Sequence, residues 1–292
     1  MAVSIGMTAP DFTATTTFGP IRMSDYKGSW VVFFSHPGDF TPVCTTEFLA
    51  FSNHYDDFTK LNTKLLGLSI DSNPSHLAWV NEIFLITGVQ IQFPIVADRS
   101  GDVARLYGMI ANDVSSTETV RNVYFIDPNQ KIRAILIYPL TNGRCIKEIL
   151  RLLTALQTTD KYGVVTPACW QPGDPVMVPP PKTYEELVAR DSNPTAQGLE
   201  CKDWFWCYKN LPSSNEASPN SNLMNSPTMS NKNMMNDSLQ NNTSMNNTSM
   251  NNTSLNNTTT NGRPTTGNMM NPTMTNQGTM NGNVNNTMPR RR

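Results

Sequence analysis

The chain has 292 residues, a formal net charge of −1 and five cysteines. That near-neutral balance gives no sign of nucleic-acid binding, which usually shows as a basic patch or high pI, and no apolar run reaches the length of a bilayer span. The first ten residues lack a charged stretch followed by an apolar one, so no secretory leader is expected; five cysteines then point to thiol chemistry in the cytoplasm rather than a disulfide framework.

Taken in chain order, residues 30–35 form an apolar strand running into a loop punctuated by Pro37 and Pro42. A helix begins near Cys44, with Phe48, Phe51, Tyr55 and Phe58 recurring at helical spacing. A second strand is expected over 64–71 and a helix from 74 to about 87, closed by Gly88. A short strand over 93–97 and a short helix over 101–107 follow. Residues 120–127 and 132–138 read as paired strands joined by the turn Pro128-Asn129-Gln130. Ile146, Ile149, Leu150, Leu153 and Leu156 mark an amphipathic helix. This alternation argues for an α/β fold with a central sheet. From 164 to about 211 the chain is proline-rich, with an acidic helix expected over 183–190.

Beyond Leu211, Asn, Thr, Ser and Met take over, and a five-residue Asn-Asn-Thr-Ser-Met/Leu repeat starts near Asn241. Such a segment buries too little apolar surface to offset its chain entropy, so 212–292 is expected to be disordered. Most of the chain's 16 methionines lie there, which makes the tail a candidate local oxidant scavenger through sulfoxide formation. Its Asn-x-Thr and Asn-x-Ser triplets read as repeat composition rather than glycosylation sites.

The densest chemical signal is Pro37-Gly38-Asp39-Phe40-Thr41-Pro42-Val43-Cys44-Thr45-Thr46-Glu47. It places Cys44 in the first turn of a helix, where free N–H groups and the positive end of the helix dipole favour a negative sulfur. The thiolate is the reactive form of cysteine. Pro37 and Pro42 stiffen the loop that holds the sulfur, and Thr41 offers a hydroxyl beside it.

The string HPGDFTPVCTTE resembles the active-site signature of the peroxiredoxins, thiol peroxidases on a thioredoxin-like fold. The run 167–175, Pro-Ala-Cys-Trp-Gln-Pro-Gly-Asp-Pro, is similar to the C-terminal extension of the one-cysteine-type class. The resemblance covers residues 1–210 and implies a central mixed sheet flanked by helices. It divides the chain into a peroxidase domain over 1–160, a C-terminal dimerisation arm over 161–211 and the low-complexity tail. It further implies a peroxide substrate, a thioredoxin-like reductant, no cofactor and a homo-oligomer, either a dimer or a decameric ring of dimers.

Carried onto this sequence, the resemblance makes Cys44 the nucleophile and Thr41 the hydroxyl that orients the peroxide oxygens. Arg121, opening the strand after Val120, matches the arginine that the family places against its cysteine. Arginine suits that role because it stays protonated and presents several donors in a rigid fork. Glu47, one turn after Cys44, is expected to hold Arg121 or Arg144, the latter matching a second arginine of the class. His36 either tunes the sulfur or packs beside it. The segment Leu199-Glu200-Cys201-Lys202-Asp203-Trp204-Phe205-Trp206-Cys207 resembles an arm terminus whose distal cysteine resolves the sulfenic acid of a neighbouring subunit. Cys207 is therefore the expected resolving thiol, with Cys201 as relay or substitute; the alternative is that both are inert and an external thiol recycles Cys44.

Cys145 and Cys169 read as structural, and His54 and His76 as ordinary surface or interface residues. No Cys/His set has metal-ligand spacing, so no metal is expected. The stretch Lys27-Gly28-Ser29-Trp30-Val31 lacks the second glycine of a nucleophile elbow, which argues against the lipase activity of some members. Glu at position 47 removes the Cys-x-x-Cys of a disulfide oxidoreductase. The remaining alternative is a redox sensor or oligomeric scaffold in which Cys44 oxidation signals without turning over.

Overall fold

Residues Trp30–Ser35 form strand β3, and all six are buried. A strand covered on both faces reads as an unbroken apolar run rather than an alternation, and its side chains still point to opposite sides. Trp30, Val32 and Phe34 enter one core, with Phe48, Phe51, Trp79 and Leu150; Val31 and Phe33 enter the other, with Met23, Tyr107 and Tyr124. A sheet with a core on each face is the layered arrangement expected of an α/β chain.

The computed structural model describes residues 3–212. Strands β1 (Thr13–Thr16) and β2 (Gly19–Arg22) precede β3; β4 (Thr63–Ser69), β5 (Ile95–Ala97), β6 (Arg121–Ile126) and β7 (Ile132–Tyr138) follow. They form one mixed sheet in the order β2-β1-β5-β4-β3-β6-β7. Strands β3, β4 and β5 run parallel, while β6 and β7 continue the sheet antiparallel. Helices α1 (Pro42–Asn53), α2 (Tyr55–Lys60), α3 (Asn73–Thr87) and α5 (Ile146–Tyr162) supply the Phe34 side, and α4 (Asp102–Tyr107) the Phe33 side. This is the thioredoxin-like mixed sheet flanked by helices that the sequence implied. Gly88 closes α3 at φ +72, a conformation that favours glycine.

Three local features depart from the sequence reading. Strands β1 and β2 escaped it because Thr13-Ala-Thr-Thr carries no apolar alternation; they form by backbone pairing at the end of the sheet. The helix expected through Phe58 breaks at His54, whose backbone N–H closes on Ala50 and Phe51 while its imidazole bonds Asp57 at 3.0 Å. Besides helix α6 (Tyr184–Ser192), the arm contains a second sheet of order β8-β10-β9 that was not anticipated. Its strands are β8 (Val176–Met177), β9 (Glu200–Asp203) and β10 (Trp206–Lys209). The tail from 213 onward, with the disorder and scavenging expected of it, lies outside the described residues. Among those described, no helix is long and apolar enough to cross a membrane.

Candidate active site

Thr41 is the N-cap of α1 in extended conformation and Pro42 the first helical residue, so Cys44 falls in the first turn. Proline suits that position because its missing N–H has no helical partner to lose. Thr41 does not cap the helix with its side chain; its hydroxyl donates to the Gly38 carbonyl at 2.8 Å, which tightens the loop. Pro37 and Gly38 are half-buried in that loop, and Phe40 stands at φ +55 with its ring exposed.

Cys44 is fully buried, and Arg121 Nη1 donates to its Sγ at 3.3 Å. The same nitrogen donates to Glu47 Oε2 at 2.7 Å, while Arg121 Nε and Nη2 both reach the Leu140 carbonyl, at 2.9 and 2.8 Å. Arg144 grips Glu47 in a two-pronged pair, Nε to Oε1 at 2.8 Å and Nη2 to Oε2 at 2.7 Å, and its backbone N–H adds a third bond at 2.7 Å. Its Nη1 bonds the carbonyls of Ser35 and Asn122. Gly143 eases this: a Cβ there would lie 3.3 Å from a Val43 methyl, tight enough that the valine would have to shift for the loop to close on α1.

Glu47 thus holds both arginines where the sequence left a choice. Burial would raise its carboxyl, but the hydrogen bonds and charge of Arg144, with the charge of Arg121, hold it below the usual carboxylate range. Two buried cations against one buried carboxylate leave an excess positive charge, and the group touching it is the Cys44 sulfur.

A second polar cluster, which the sequence reading missed, packs against Phe48 and Trp79. His36 stacks on Trp79 at 5.2 Å and meets the edge of Phe48 at 4.8 Å. His36 Nε2 lies 3.1 Å from Asp39 Oδ1, and His76 Nδ1 lies 2.9 Å from Asp39 Oδ2. His76 is therefore a fully buried ring and not the surface or interface residue expected. Its position is legible in hindsight: His76, Trp79 and Ile83 share the buried face of α3 at helical spacing. These ligand atoms lie within 4.8 Å of one another, a closeness no sequence spacing reveals. With both carboxylate oxygens already engaged by imidazoles, the arrangement is a hydrogen-bonded triad.

Burial would raise the Asp39 carboxyl, yet the hydrogen bonds and charges of the two histidines hold it far below its usual value. For His36, burial outweighs the pull of Asp39 and lowers it from 6.5. Below pH 6.5 the unfolded chain therefore binds more protons at this residue than the folded one, so the His36 contribution weakens as pH falls. The stability advantage of wild type over His36→Gln is expected to shrink below that pH by up to about 1.4 kcal/mol per unit. Urea midpoints across the range test this; an advantage that grows on acidification overturns it.

Cys201 and Cys207 lie apart from this cluster, on β9 and β10, joined to each other by a disulfide with Cα atoms 4.0 Å apart. Neither is a free thiol in this state. Cys145 and Cys169 are free and exposed, which corrects their reading as structural: Cys145 caps α5, and Cys169 sits in a loop at φ +58.

A helix-start cysteine touched by a buried arginine, on a thioredoxin-like sheet, defines a thiol-based redox protein. Comparison with known proteins narrows the class. Residues 5–135 match the AhpC/TSA family and residues 155–190 the C-terminal domain of 1-Cys peroxiredoxin. Peroxiredoxin 2 of Caldanaerobacter subterraneus subsp. tengcongensis is 58% identical over 207 residues, covering 71% of this chain and 93% of that protein. A peroxiredoxin of Aquifex aeolicus is 50% identical over 218 residues, covering 71% and 96%. Among solved structures, a yeast mitochondrial 1-Cys peroxiredoxin superposes with a TM-score of 0.64 at 43% identity, over 72% of this chain and all of that one. Peroxiredoxin 6 of Arenicola marina, as a cysteine-to-serine mutant, gives 0.65 at 36% identity, over 73% and 100%. The chain belongs to the peroxiredoxin family of thiol-dependent peroxidases.

Proposed function

We propose that Cys44 reduces hydrogen peroxide and organic hydroperoxides, and that the Cys201–Cys207 pair returns it to the thiol. The observation that carries the first step is Arg121 Nη1 at 3.3 Å from the sulfur inside a cluster of excess positive charge. The Cys44 thiolate attacks one peroxide oxygen; the O–O bond breaks, the other oxygen leaves as water or an alcohol after taking a proton, and Cys44 becomes a sulfenic acid. Arg121 steadies the negative charge as it moves from sulfur to oxygen, and Thr41 orients the oxygens. An apolar groove of about 370 Å³ beside the loop, lined by Phe40, Thr41, Pro42, Thr45 and Ile83 among others, suits organic substituents. The Cys44 sulfur is enclosed in this state.

In the second stage a reduced Cys207 of a neighbouring subunit attacks the sulfenic sulfur, releases water and forms a mixed disulfide. Cys201 then attacks Cys207, frees the Cys44 thiol and leaves the Cys201–Cys207 disulfide. That bridge across β9 and β10 supports the relay reading of Cys201. A thioredoxin-type dithiol supplies two electrons to reopen it. The yeast relative is described as resolving its thiol via glutathione/thioredoxin systems, which supports an external thiol as the source of electrons. In this reading residues 1–160 are the peroxidase domain, 161–211 the arm that reaches a partner subunit, and the protein works as a cytoplasmic homo-oligomer.

Rapid-mixing kinetics with a thioredoxin system separate the two stages. Cys44→Ser is expected to abolish peroxide consumption. Cys207→Ser and Cys201→Ser are expected to keep the first oxidation of Cys44 while losing most steady-state turnover. Unimpaired turnover in both arm variants removes the relay, and turnover in Cys44→Ser removes the peroxidase assignment. One round of oxidation in wild type, without recycling by any dithiol, leaves the sensor reading in its place.

A further inference from the structure

The buried triad of His36, Asp39 and His76 is bonded in a way that dictates where its protons sit. His76 Nδ1 faces the two oxygens of Asp39 at 3.0 and 2.9 Å, and its Nε2 faces the Val96 carbonyl at 3.2 Å. Carboxylates and carbonyls only accept hydrogen bonds, so each ring nitrogen needs its own proton. A ring protonated on both nitrogens is an imidazolium. It is fully enclosed, and the charge beside it is the Asp39 carboxylate, itself buried at the side chain. We propose that His76 is a buried imidazolium that acts as a positioning residue for the reaction at Cys44: it fixes the Asp39 carboxylate, and through Asp39 both the tautomer of His36 and the loop that carries Thr41.

The chain of contacts runs through three elements of the fold. Asp39 takes His36 Nε2–H, so the His36 proton sits on Nε2 and its Nδ1 carries a lone pair. Among the described residues that Nδ1 is buried without a hydrogen-bond partner. An orphaned polar atom in a dry site is costly unless something else holds it in place. The Asp39 backbone N–H bonds Asp71 Oδ2 at 2.9 Å, and the same carboxylate oxygen accepts from Ser69 Oγ. Asp39 is thus pinned at its side chain by α3 and at its backbone by the turn after β4. The charged and titratable groups around His76 are Asp39 from the loop, His36 from the end of β3 at a ring distance of 6.0 Å, and Asp71 behind Asp39. Thr41 lies two residues from Asp39 and Cys44 five, so a shift of the pinned residue displaces the groups of the proposed reaction.

This inference rests on the peroxidase reading, and its test keeps the two apart. The chain has three histidines, so 15N spectra of the histidine-labelled full chain can be assigned with single variants. At neutral pH His76 is expected to show a proton on each ring nitrogen, and His36 a proton on Nε2 alone. A singly protonated His76, or a His36 proton on Nδ1, overturns the proposal whatever the enzyme does. In His76→Gln the His36 proton is expected to lose its fixed position, and the rate of Cys44 oxidation, followed by tryptophan fluorescence, to fall by about 10- to 100-fold. An unchanged rate in a folded His76→Gln protein also overturns it. If that variant does not fold, Asp39→Asn is expected to give the same loss, and wild-type rate there counts against the proposal. Peroxide turnover in Cys44→Ser sinks the parent reading while leaving the protonation measurement intact.

Discussion

Replacing Glu47 with alanine is expected to lower the stability of the fold by about 3–5 kcal/mol, the largest single-residue loss predicted here. Glu47 is 2% exposed and accepts from Arg121 and Arg144 together, four bonds at 2.7–2.8 Å. Removing it leaves two guanidinium groups facing each other in the interior with no anion between them. Each keeps its carbonyl partners, Leu140 for Arg121 and Ser35 with Asn122 for Arg144, but carbonyls offset little of a buried net charge. The loss should be read from urea unfolding at pH 7. Glu47→Gln is expected to fall between, because its amide keeps the shape and one acceptor while the charge is gone. A Glu47→Ala protein within about 1 kcal/mol of wild type would mean that the arginines find water or another anion, and the closed cluster would be wrong.

How much of this was legible beforehand depends on whether the information was local. Strand β3, the loop and the start of α1 were readable because an apolar run, two prolines and a helical repeat of phenylalanines lie in consecutive residues. Arg121 was found only through family resemblance, since a lone arginine at a strand start carries no signal of its own. The choice left open for Glu47 dissolved in three dimensions, where the turn at Gly143 brings Arg144 onto the same carboxylate that Arg121 reaches from β6. The histidine triad was invisible for the opposite reason. His36 and Asp39 sit three residues apart on a loop, a spacing that implies nothing, and His76 joins them from a helix 37 residues beyond Asp39. The buried stripe of α3 held the one usable clue, and a polar residue on an apolar stripe asks what satisfies it. Cys201 and Cys207 were singled out, but a five-residue gap does not announce a hairpin that pairs them; cross-strand register does. Strands β1 and β2 show the limit of pattern reading, because only Ala14 and Ile21 of them pack against the apolar core and the rest of the pairing is ladder bonds.

Arg121 carries the second large effect, on rate more than on fold. Arg121→Met keeps the length of the side chain and removes the cation, and is expected to slow oxidation of Cys44 by about 10²- to 10³-fold, the usual loss when a fixed donor at a developing charge is deleted. Its stability loss should be smaller than that of Glu47→Ala, because Glu47 retains the two-pronged Arg144 pair and no buried cation is stranded. Arg121→Lys separates charge from geometry. A lysine can place one ammonium near the sulfur but cannot bond Leu140 with two nitrogens while reaching Glu47 and Sγ with a third. It is therefore expected to recover part of the rate and to remain at least about tenfold below wild type. Two measurements decide the matter: the second-order rate of fluorescence change on mixing with peroxide, and the rate of alkylation of Cys44 at neutral pH by a neutral reagent. Both should fall in Arg121→Met. If oxidation slows while alkylation does not, Arg121 acts on the leaving oxygen rather than on the sulfur. If neither changes, the 3.3 Å contact has no part in the chemistry.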